Sequence, residues 1–413
     1  MEIKKGYKMT DVGVIPEDWE VKSIGDICVV KDGTHQTPNY TYFGIPFYSV
    51  ENISNNDFSN VKYISEEEHI ILSSNSKIEK GDVLMTRIGS IGCCKYIDWE
   101  VKASFYVSLA LLKFQDDECA RYFTHYSETN LFKDEIEQNS LQFAVPQKIN
   151  LGNIPKIRII LPSILKEQQV IADALTKVDN LITSLTKVIE KKKLIKKGTM
   201  QKLLSGEVRL DGFEGEWNFI SFKNIYTYAS EGGTPDTKNE KYYKSGVIPF
   251  VKIEDTISKY IKCASTFITE LGLEQSSAWI LPAGNLILTN GATIGNVSIN
   301  LIPITTKQGI LGIIVNSDYH TEFLYYLFKN ETFQTELQSK MAIGTFATIT
   351  LNNLNDIQLL IPPTKAEQTA IAKVLTTMDN EIEALEKERD KYKCIKQGMM
   401  QQLLTGKIRL ICQ

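Results

Sequence analysis

The stretch that decides the fold is LPSILKEQQVIADALTKVDNLITSLTKVIEKKKLIKKGTMQKLLSGEVRL, residues 161–210. It recurs as IPPTKAEQTAIAKVLTTMDNEIEALEKERDKYKCIKQGMMQQLLTGKIRL, residues 361–410, and 24 of the 50 aligned positions are identical without a gap. An ungapped match of this length within one chain is the signature of an internal repeat. The 413-residue chain is therefore built from two units of one design.

Each copy of the repeat is predicted to form a long helix that ends at a Leu-Leu-Ser/Thr-Gly stop. Apolar residues recur in alternating steps of four and three, which is a heptad seam. The seam positions are Ile171, Leu175, Val178, Ile182, Leu185 and Ile189 in the first copy, and Ile371, Leu375, Met378, Ile382 and Leu385 in the second. A heptad period favours another helix as the partner, so we expect the two helices to pack antiparallel. The alternative is that each helix packs on its own globular unit.

The segments outside the repeat also resemble one another in outline. Trp217 corresponds to Trp19, and Gly-rich turns follow corresponding predicted strands, whereas most loop residues differ between the two units. Divergent loops on a shared framework are typical of related sites for different targets, although loops also drift faster than frameworks. Because the C-terminal LTGKIRL matches the LSGEVRL that leads into the second unit, we expect the chain termini to lie close together.

The predicted fold class is α+β, with two similar globular domains joined and separated by two long antiparallel coiled-coil helices in a pseudo-two-fold arrangement. The first globular domain is predicted at 1–160 and the central helix at 161–210. The second globular domain is predicted at 211–360 and the C-terminal helix at 361–413.

Composition and missing motifs exclude several classes of protein. No apolar run approaches the length of a membrane span, and seven Cys without a C-x-x-C pair favour a reducing cytoplasm. The net charge of −4 argues against a generic nucleic-acid binder, so any such binding must come from local patches. The sequence contains no phosphate-binding loop, no H-E-x-x-H and no nucleophile elbow, and we therefore predict no catalytic residues, no cofactor and no metal.

The remaining candidates for a functional role are polar loop residues, whose side chains can form hydrogen bonds with the edges of DNA bases. Arg is the common reader of guanine, and Asn or Gln of adenine. Arg87 lies in a Gly-rich turn after a strand and is predicted to extend outward, and Asn290 holds the neighbouring place in the second unit. The alternative for each candidate is an ordinary turn residue that bonds its own backbone. The candidate DNA-binding residues are Lys31, Thr34, His35, Arg87, Ser90, Gln142 and Gln147 in the first unit, and Thr234, Lys252, Thr289, Asn290, Thr293 and Thr345 in the second.

The doubled helix with its E-Q-x-x-I-A start and L-L-[ST]-G stop resembles the specificity subunits of type I restriction–modification enzymes. The G-D-V-L strand before the R-x-G turn resembles them too. The resemblance implies two target-recognition domains that each read one half of a bipartite double-stranded DNA site. It implies that the helix pair sets the spacer and docks the methyltransferase subunits. The catalytic work would belong to these subunits, which bind S-adenosylmethionine, and to the restriction subunits that cut.

Two other classes of function are kept as alternatives. One is a non-catalytic coiled-coil scaffold whose globular ends bind proteins, and the other is a nuclease or methyltransferase with an unrecognised site. Exchange of residues 1–160 for a homologous unit distinguishes the scaffold, because only a DNA reader would then change half of its target. Incubation of the purified chain with DNA and Mg²⁺ or S-adenosylmethionine tests the enzyme.

Overall fold

The structure is a computed structural model that describes residues 5–141, 143–291, 293–341 and 348–410. Internal contacts divide the chain into two units, Met1–Thr186 with Lys387–Gln413, and Lys187–Glu386. Each unit therefore combines one globular part with the first half of the helix that follows it and the second half of the other long helix. In the described ranges no helix has both the length and the apolarity that a membrane span requires.

The globular part of the first unit contains short helices and strands. Its helices are α1 (Ile24–Ile27), α2 (Val50–Ser54), α3 (Glu66–Ser73), α4 (Asp117–Tyr126) and α5 (Asn130–Asn139). Its strands are β1 (Tyr7–Thr10), β2 (Gly13–Pro16), β3 (Trp19–Ser23), β4 (Cys28–Asp32), β5 (Tyr40–Thr41), β6 (Ile45–Tyr48), β7 (Lys62–Ile64), β8 (Val83–Thr86), β9 (Cys94–Tyr96), β10 (Ser104–Phe105), β11 (Leu109–Phe114) and β12 (Arg158–Pro162).

Two four-stranded sheets and two strand pairs, β1–β2 and β3–β12, organise this part. An antiparallel sheet has the order β4-β11-β8-β9, and a mixed sheet has the order β10-β6-β7-β5. The β8 and β11 strands are almost wholly apolar and buried, as expected for strands covered on both faces. The β3–β12 pair sets Trp19 opposite Pro162, directly before the first long helix.

The second unit repeats this plan. Its strands are β13 (Asn218–Ser221), β14 (Tyr226–Glu231), β15 (Ile248–Val251), β16 (Tyr260–Ile261), β17 (Thr266–Ile268), β18 (Leu286–Thr289), β19 (Val297–Asn300), β20 (Thr305–Thr306), β21 (Ile310–Val315) and β22 (Gln358–Ile361). They form sheets of order β14-β21-β18-β19-β16 and β17-β15-β20, and a β13–β22 pair. The long helix between the two globular parts is α6 (Leu165–Leu204), and the second globular part adds α7 (Glu270–Glu274), α8 (Thr321–Lys329), α9 (Glu331–Ser339) and α10 (Leu351–Asn355).

The predicted long helices are present as α6 and α11 (Lys365–Leu403). Thr364 caps the N-terminus of α11, because its Oγ1 accepts a hydrogen bond from the Glu367 amide at 3.2 Å. Both glycines of the predicted stops have positive φ, +71° at Gly206 and +68° at Gly406. Glycine adopts this left-handed conformation at little cost, and the helices end there.

Within the second unit the two helices run antiparallel. Lys192 Nζ lies 2.7 Å from a Glu381 oxygen, and Lys193 Nζ lies 2.6 Å from a Glu386 oxygen. From Lys192 to Lys196 the number on α6 rises by four while the partner on the other helix falls from Glu381 to Asp379, which is the direction expected of antiparallel helices. The predicted helix-on-helix packing is therefore confirmed for this unit.

The alternative packing of the seam is realised as well. Ile171 and Leu175 are fully buried in the core of the first unit, where the end of α11 contributes Leu403 and Leu404. In the second unit, Ile371 and Leu375 are buried in the same way with Leu203 and Leu204. Each seam therefore begins inside a globular core that also contains the other helix, so the two alternatives of the sequence analysis are both correct.

A repeated polar cluster ties each globular part to the helices. In the first unit Lys396 Nζ lies 2.7 Å from Glu128 and 2.8 Å from Asp179. In the second unit Lys196 bonds Asp379, which also accepts a hydrogen bond from Tyr326 at 2.5 Å. His125, Glu128 and Asp179 have the spacing of metal ligands. Because the Lys396 ammonium already pairs with both carboxylates, we interpret this group as an ion-pair network.

His125 makes the stability of the first unit depend on pH. Burial, opposed by the Asp179 carboxylate and assisted by Lys396, lowers the pKa of His125 from 6.5 to about 4. The unfolded chain therefore binds the proton first as the pH falls, and this contribution to stability is present above pH 6.5 and is lost toward pH 4. From this group we expect a loss of about 2 kcal/mol in unfolding free energy between pH 7 and pH 5. Urea unfolding at both pH values measures it.

The control for this prediction is His125→Gln, which retains a hydrogen-bonding group near Thr176, 3.0 Å from His125 Nε2 in the native protein. The variant is expected to lose less stability than the native chain over the same pH interval. An equal loss in both proteins would assign the pH dependence to other groups.

The described segments nearest to the two chain termini lie close together within the first unit, as expected. The Tyr7 hydroxyl donates to the Gly406 carbonyl at 3.0 Å, and Arg409 pairs with Asp18 at 2.7 Å. The segment after α11 thus packs on the first globular part, as the segment after α6 packs on the second, where Arg209 pairs with Glu367 at 2.6 Å.

Candidate nucleic-acid interface

Four loops meet at one end of the β4-β11-β8-β9 sheet and form what we call the first loop cluster, residues 32–36, 87–92, 106–108 and 143–149. Backbone hydrogen bonds hold these loops together. They run from Val107 N to Thr34 O at 2.9 Å, from Arg87 N to Ser108 O at 2.9 Å, from Ile149 N to Arg87 O at 2.9 Å, and from Gly89 N to Gln147 O at 2.8 Å. The loops therefore present one surface, although they lie far apart in the chain.

The second loop cluster is the corresponding group of residues 231–234, 290–291, 293–295, 306–309 and 348–349. Its backbone bonds run from Gly232 N to Ile310 O at 3.0 Å, from Asn290 N to Gly309 O at 3.0 Å, and from Ile349 N to Asn290 O at 3.1 Å. The bond from Ile349 to Asn290 repeats the bond from Ile149 to Arg87. The two clusters therefore share a framework, while their exposed side chains differ.

Glycine is required at the start of the loops that follow β4 and β14, because each loop comes very close to the backbone of another loop of its cluster. A Cβ atom on Gly33 would lie 2.6 Å from the Tyr106 carbonyl oxygen, and one on Gly232 would lie 1.8 Å from the Thr306 carbonyl oxygen. Real Cβ atoms do not approach backbone so closely, so a side chain at either position must displace a loop.

We expect Gly33→Ala to lower the unfolding free energy of the first unit by about 1–3 kcal/mol, because the added methyl overlaps the Tyr106 backbone. Gly152→Ala is the matched control, since nothing lies within 4 Å of its Cβ position. Its effect is expected within about 0.5 kcal/mol. Denaturant unfolding of both variants measures the difference, and equal stability of the two would contradict the close approach.

The structure places Arg87 inside the first cluster. Its side chain is 6% exposed, and Nη1 donates to Asp32 Oδ1 at 2.7 Å. The expectation that Arg87 extends outward is therefore wrong, because Asp32, at the end of β4 in the same sheet, binds the guanidinium. The role of Arg87 in DNA binding remains a prediction, and its present contact is with a carboxylate.

Asn290 is held in the same manner in the second cluster. It is 2% exposed, and its Nδ2 donates to the Glu231 carboxylate and, at 3.1 Å, to the Ile349 carbonyl. Thr289 is fully buried, and its hydroxyl donates to the Thr293 carbonyl. In the described part of the chain, Arg87 Nε and Asn290 Oδ1 are both buried without a hydrogen-bond partner. Equivalent positions thus carry an unpaired polar atom in each cluster.

The remaining candidates differ in exposure. The His35 side chain is 71% exposed, and its Nε2 lies 2.8 Å from Asp32 Oδ2. Lys31 is half-buried, and its Nζ donates to the Asn75 carbonyl at 3.0 Å. Exposed candidates are Ser90, Gln147 and Thr293, half-buried ones are Thr34, Thr234 and Lys252, and Gln142 and Thr345 lie outside the described residues.

Sequence reasoning missed the two carboxylates that organise the clusters, Asp32 and Glu231. The available signal was their shared place at the end of β4 or β14, directly before a glycine. It also missed Lys307 and Gln308, which are exposed in the second cluster. The backbone amide of Gln308 donates to the Thr234 hydroxyl at 3.4 Å, so Lys307 and Gln308 lie beside Thr234, which is one of the predicted DNA-binding residues.

Comparison with known proteins gives a consistent result. The family model "Type I restriction modification DNA specificity domain" matches residues 16–196 and again residues 214–391. The chain is 27% identical to the type I restriction enzyme MjaVIII specificity subunit of Methanocaldococcus jannaschii, over 96% of this chain and 94% of that protein. It is 34% identical to the MjaIX specificity subunit of the same organism, over 42% of this chain and 40% of that protein. In fold it is similar to the crystal structure of the type I restriction–modification S subunit from M. genitalium, with a TM-score of 0.63, 15% identity and 98% of each chain covered.

Proposed function

Since this chain belongs to the family of type I restriction modification DNA specificity domains, present twice in its sequence, we propose that each unit reads one half of a bipartite DNA site. The resemblance inferred from the repeat is confirmed by the family model and the relatives. The chain is a specificity subunit, and its expected place as the recognition component rather than the catalytic one is confirmed with the family.

The observation that carries the proposal is the duplicated loop cluster. Two surfaces with one backbone framework and different side chains, as with His35 in the first and Glu231 in the second, suit two half-sites of different sequence. Base contacts from such loops specify sequence, whereas phosphate contacts only position the protein. The DNA-binding residues that we propose are the candidates of the sequence analysis: the exposed or half-buried Lys31, Thr34, His35, Ser90, Gln147, Thr234, Lys252 and Thr293, the buried Arg87, Thr289 and Asn290, and Gln142 and Thr345 outside the described residues.

We propose that α6 and α11 set the spacer between the half-sites and dock the methyltransferase subunits, with restriction subunits completing the complex. Each helix is unbroken over about 40 residues, 40 in α6 and 39 in α11, and a helix of this length is a suitable spacer. The net charge of −4 supports a complex in which basic partner subunits, rather than this chain, make many of the contacts to DNA phosphates.

The corresponding domains are 1–160 and 211–360 for target recognition, with the helices at 161–210 and 361–413. We place the protein in the cytoplasm. The described cysteines Cys28, Cys93, Cys94, Cys119, Cys263 and Cys394 are free thiols, as a reducing compartment requires.

The experiment that tests this function is methylation mapping. The chain is co-expressed with its methyltransferase subunits in an unmethylated host, and modified adenines are located by single-molecule sequencing. We expect one bipartite sequence with a fixed spacer. Exchange of residues 1–160 for the same segment of a relative should change one half of that sequence only. An unchanged site would favour the protein-binding scaffold, and a change in both halves would contradict the division into two readers.

A further inference from the structure

Glu231 is an exposed carboxylate at the centre of the second loop cluster, and no sequence argument assigned it a role. Its backbone is fixed on both sides, because it pairs with Leu311 at the end of β14 and its carbonyl accepts the Trp279 indole N–H at 3.1 Å. Asn290 Nδ2 donates to Oε1 and orients the carboxylate. Among the residues that the structure describes, none forms a hydrogen bond to Oε2.

The equivalent carboxylate of the first cluster is arranged differently. Asp32 Oδ1 accepts from Arg87 at 2.7 Å and from the Gly33 amide at 3.0 Å, and Oδ2 contacts His35 at 2.8 Å. Both oxygens of Asp32 are therefore occupied, and the exposed group at the surface is the imidazole of His35. In the second cluster the position of His35 is held by Thr234, whose hydroxyl accepts from the Gln308 amide at 3.4 Å, and the Glu231 carboxylate itself remains at the surface.

An exposed carboxylate on a DNA-binding surface is unfavourable near phosphates, because like charges repel. It is favourable only against a hydrogen-bond donor on a base edge. In the major groove such donors are the exocyclic amino groups, N4 of cytosine and N6 of adenine, whereas the edges of guanine and thymine offer acceptors. Exposed Lys307 lies in the loop that packs against Gly232, and an exposed ammonium there suits a flanking phosphate.

We propose that Glu231 is a specificity-determining residue that accepts a hydrogen bond from an exocyclic amino group, cytosine N4 or adenine N6, in the half-site read by the second unit. This inference rests on the proposed function. Asn290 is then a positioning residue that fixes the carboxylate and does not itself reach a base. Equivalent carboxylates thus differ in use: Asp32 is held by Arg87 and His35 in the first unit, whereas Glu231 itself faces the DNA in the second.

The test uses the full chain assembled with its methyltransferase subunits and duplexes in which each base of the second half-site is replaced in turn. One position is expected to prefer adenine or cytosine over guanine and thymine by about 5- to 150-fold. In Glu231→Gln the amide both donates and accepts, so this preference should fall to within about threefold at that position alone. Which of the two amino bases is preferred identifies the target group.

Glu336→Gln is the matched control, a half-buried glutamate of the same unit on α9, and it should leave every preference unchanged. Glu231→Asp keeps the charge and should retain a weaker preference for amino bases, which separates recognition from folding. An unchanged base profile in Glu231→Gln, or a loss spread evenly over all positions, would overturn the inference. If the native complex recognises no bipartite site at all, the proposed function itself fails, which is a different outcome.

Discussion

Replacement of Arg409 by Ala is expected to lower the unfolding free energy of the first unit by about 3–5 kcal/mol. Arg409 Nη2 donates to Glu167 Oε2 at 2.6 Å and to Asp18 Oδ2 at 2.7 Å. Glu167 is only 2% exposed, and its remaining neighbour is the Trp19 indole, whose N–H donates to it at 3.3 Å. Without the guanidinium, Glu167 would keep a buried negative charge with no cation beside it, which is among the costliest defects in a protein interior.

The measurement is denaturant unfolding of the full chain, followed by hydrogen exchange to locate the loss. Lys407→Ala removes an exposed charge two residues away and is expected to change stability by less than about 0.5 kcal/mol. Arg409→Lys should recover only part of the loss, because an ammonium cannot reproduce the paired bonds of a guanidinium to two carboxylates. If Arg409→Ala behaves like Lys407→Ala, the last residues of the chain do not stabilise the first unit.

Insertion of seven residues into both long helices, after Thr186 and after Glu386, is expected to lengthen the DNA spacer by about three base pairs. Seven helical residues add about 10 Å, and B-DNA rises about 3.4 Å per base pair. A whole heptad returns the apolar seam to the same face, so the packing of the two helices is preserved. Both half-sites should retain their sequences, because neither loop cluster is altered.

Methylation mapping of the altered complex measures the spacer directly. The control is insertion into α6 alone, which makes the two helices unequal in length, so that straight helices cannot keep both the Lys196–Asp379 pair on one side of the insertion and the Lys396–Asp179 pair on the other. That variant is expected to lose methylation at the native site without acquiring a site with a longer spacer. A spacer that stays constant after the double insertion would show that the helices do not determine it, whereas the reading of each half-site would stand.

The tertiary structure decided the chemistry of the loop clusters. Arg87 and Asp32 are 55 positions apart, and their ion pair exists because β11 lies between β4 and β8 and brings both strand ends to one edge. No periodicity reports such a pairing, so Arg87 was expected to extend outward and the roles of Asp32 and Glu231 were missed. The capture of Asn290 by Glu231 has the same origin in the order of β14, β21 and β18.

The sequence by itself determined the repeat, the two long helices and their ends, because a heptad seam, a capping threonine and a glycine stop act over a few neighbouring residues. It also identified the family. The tertiary structure decided how each seam is shared between a helix and a globular core, as Ile171 and Ile371 show. It likewise decided which polar side chains remain free for DNA, since a side chain is available only where no partner from a distant strand already holds it.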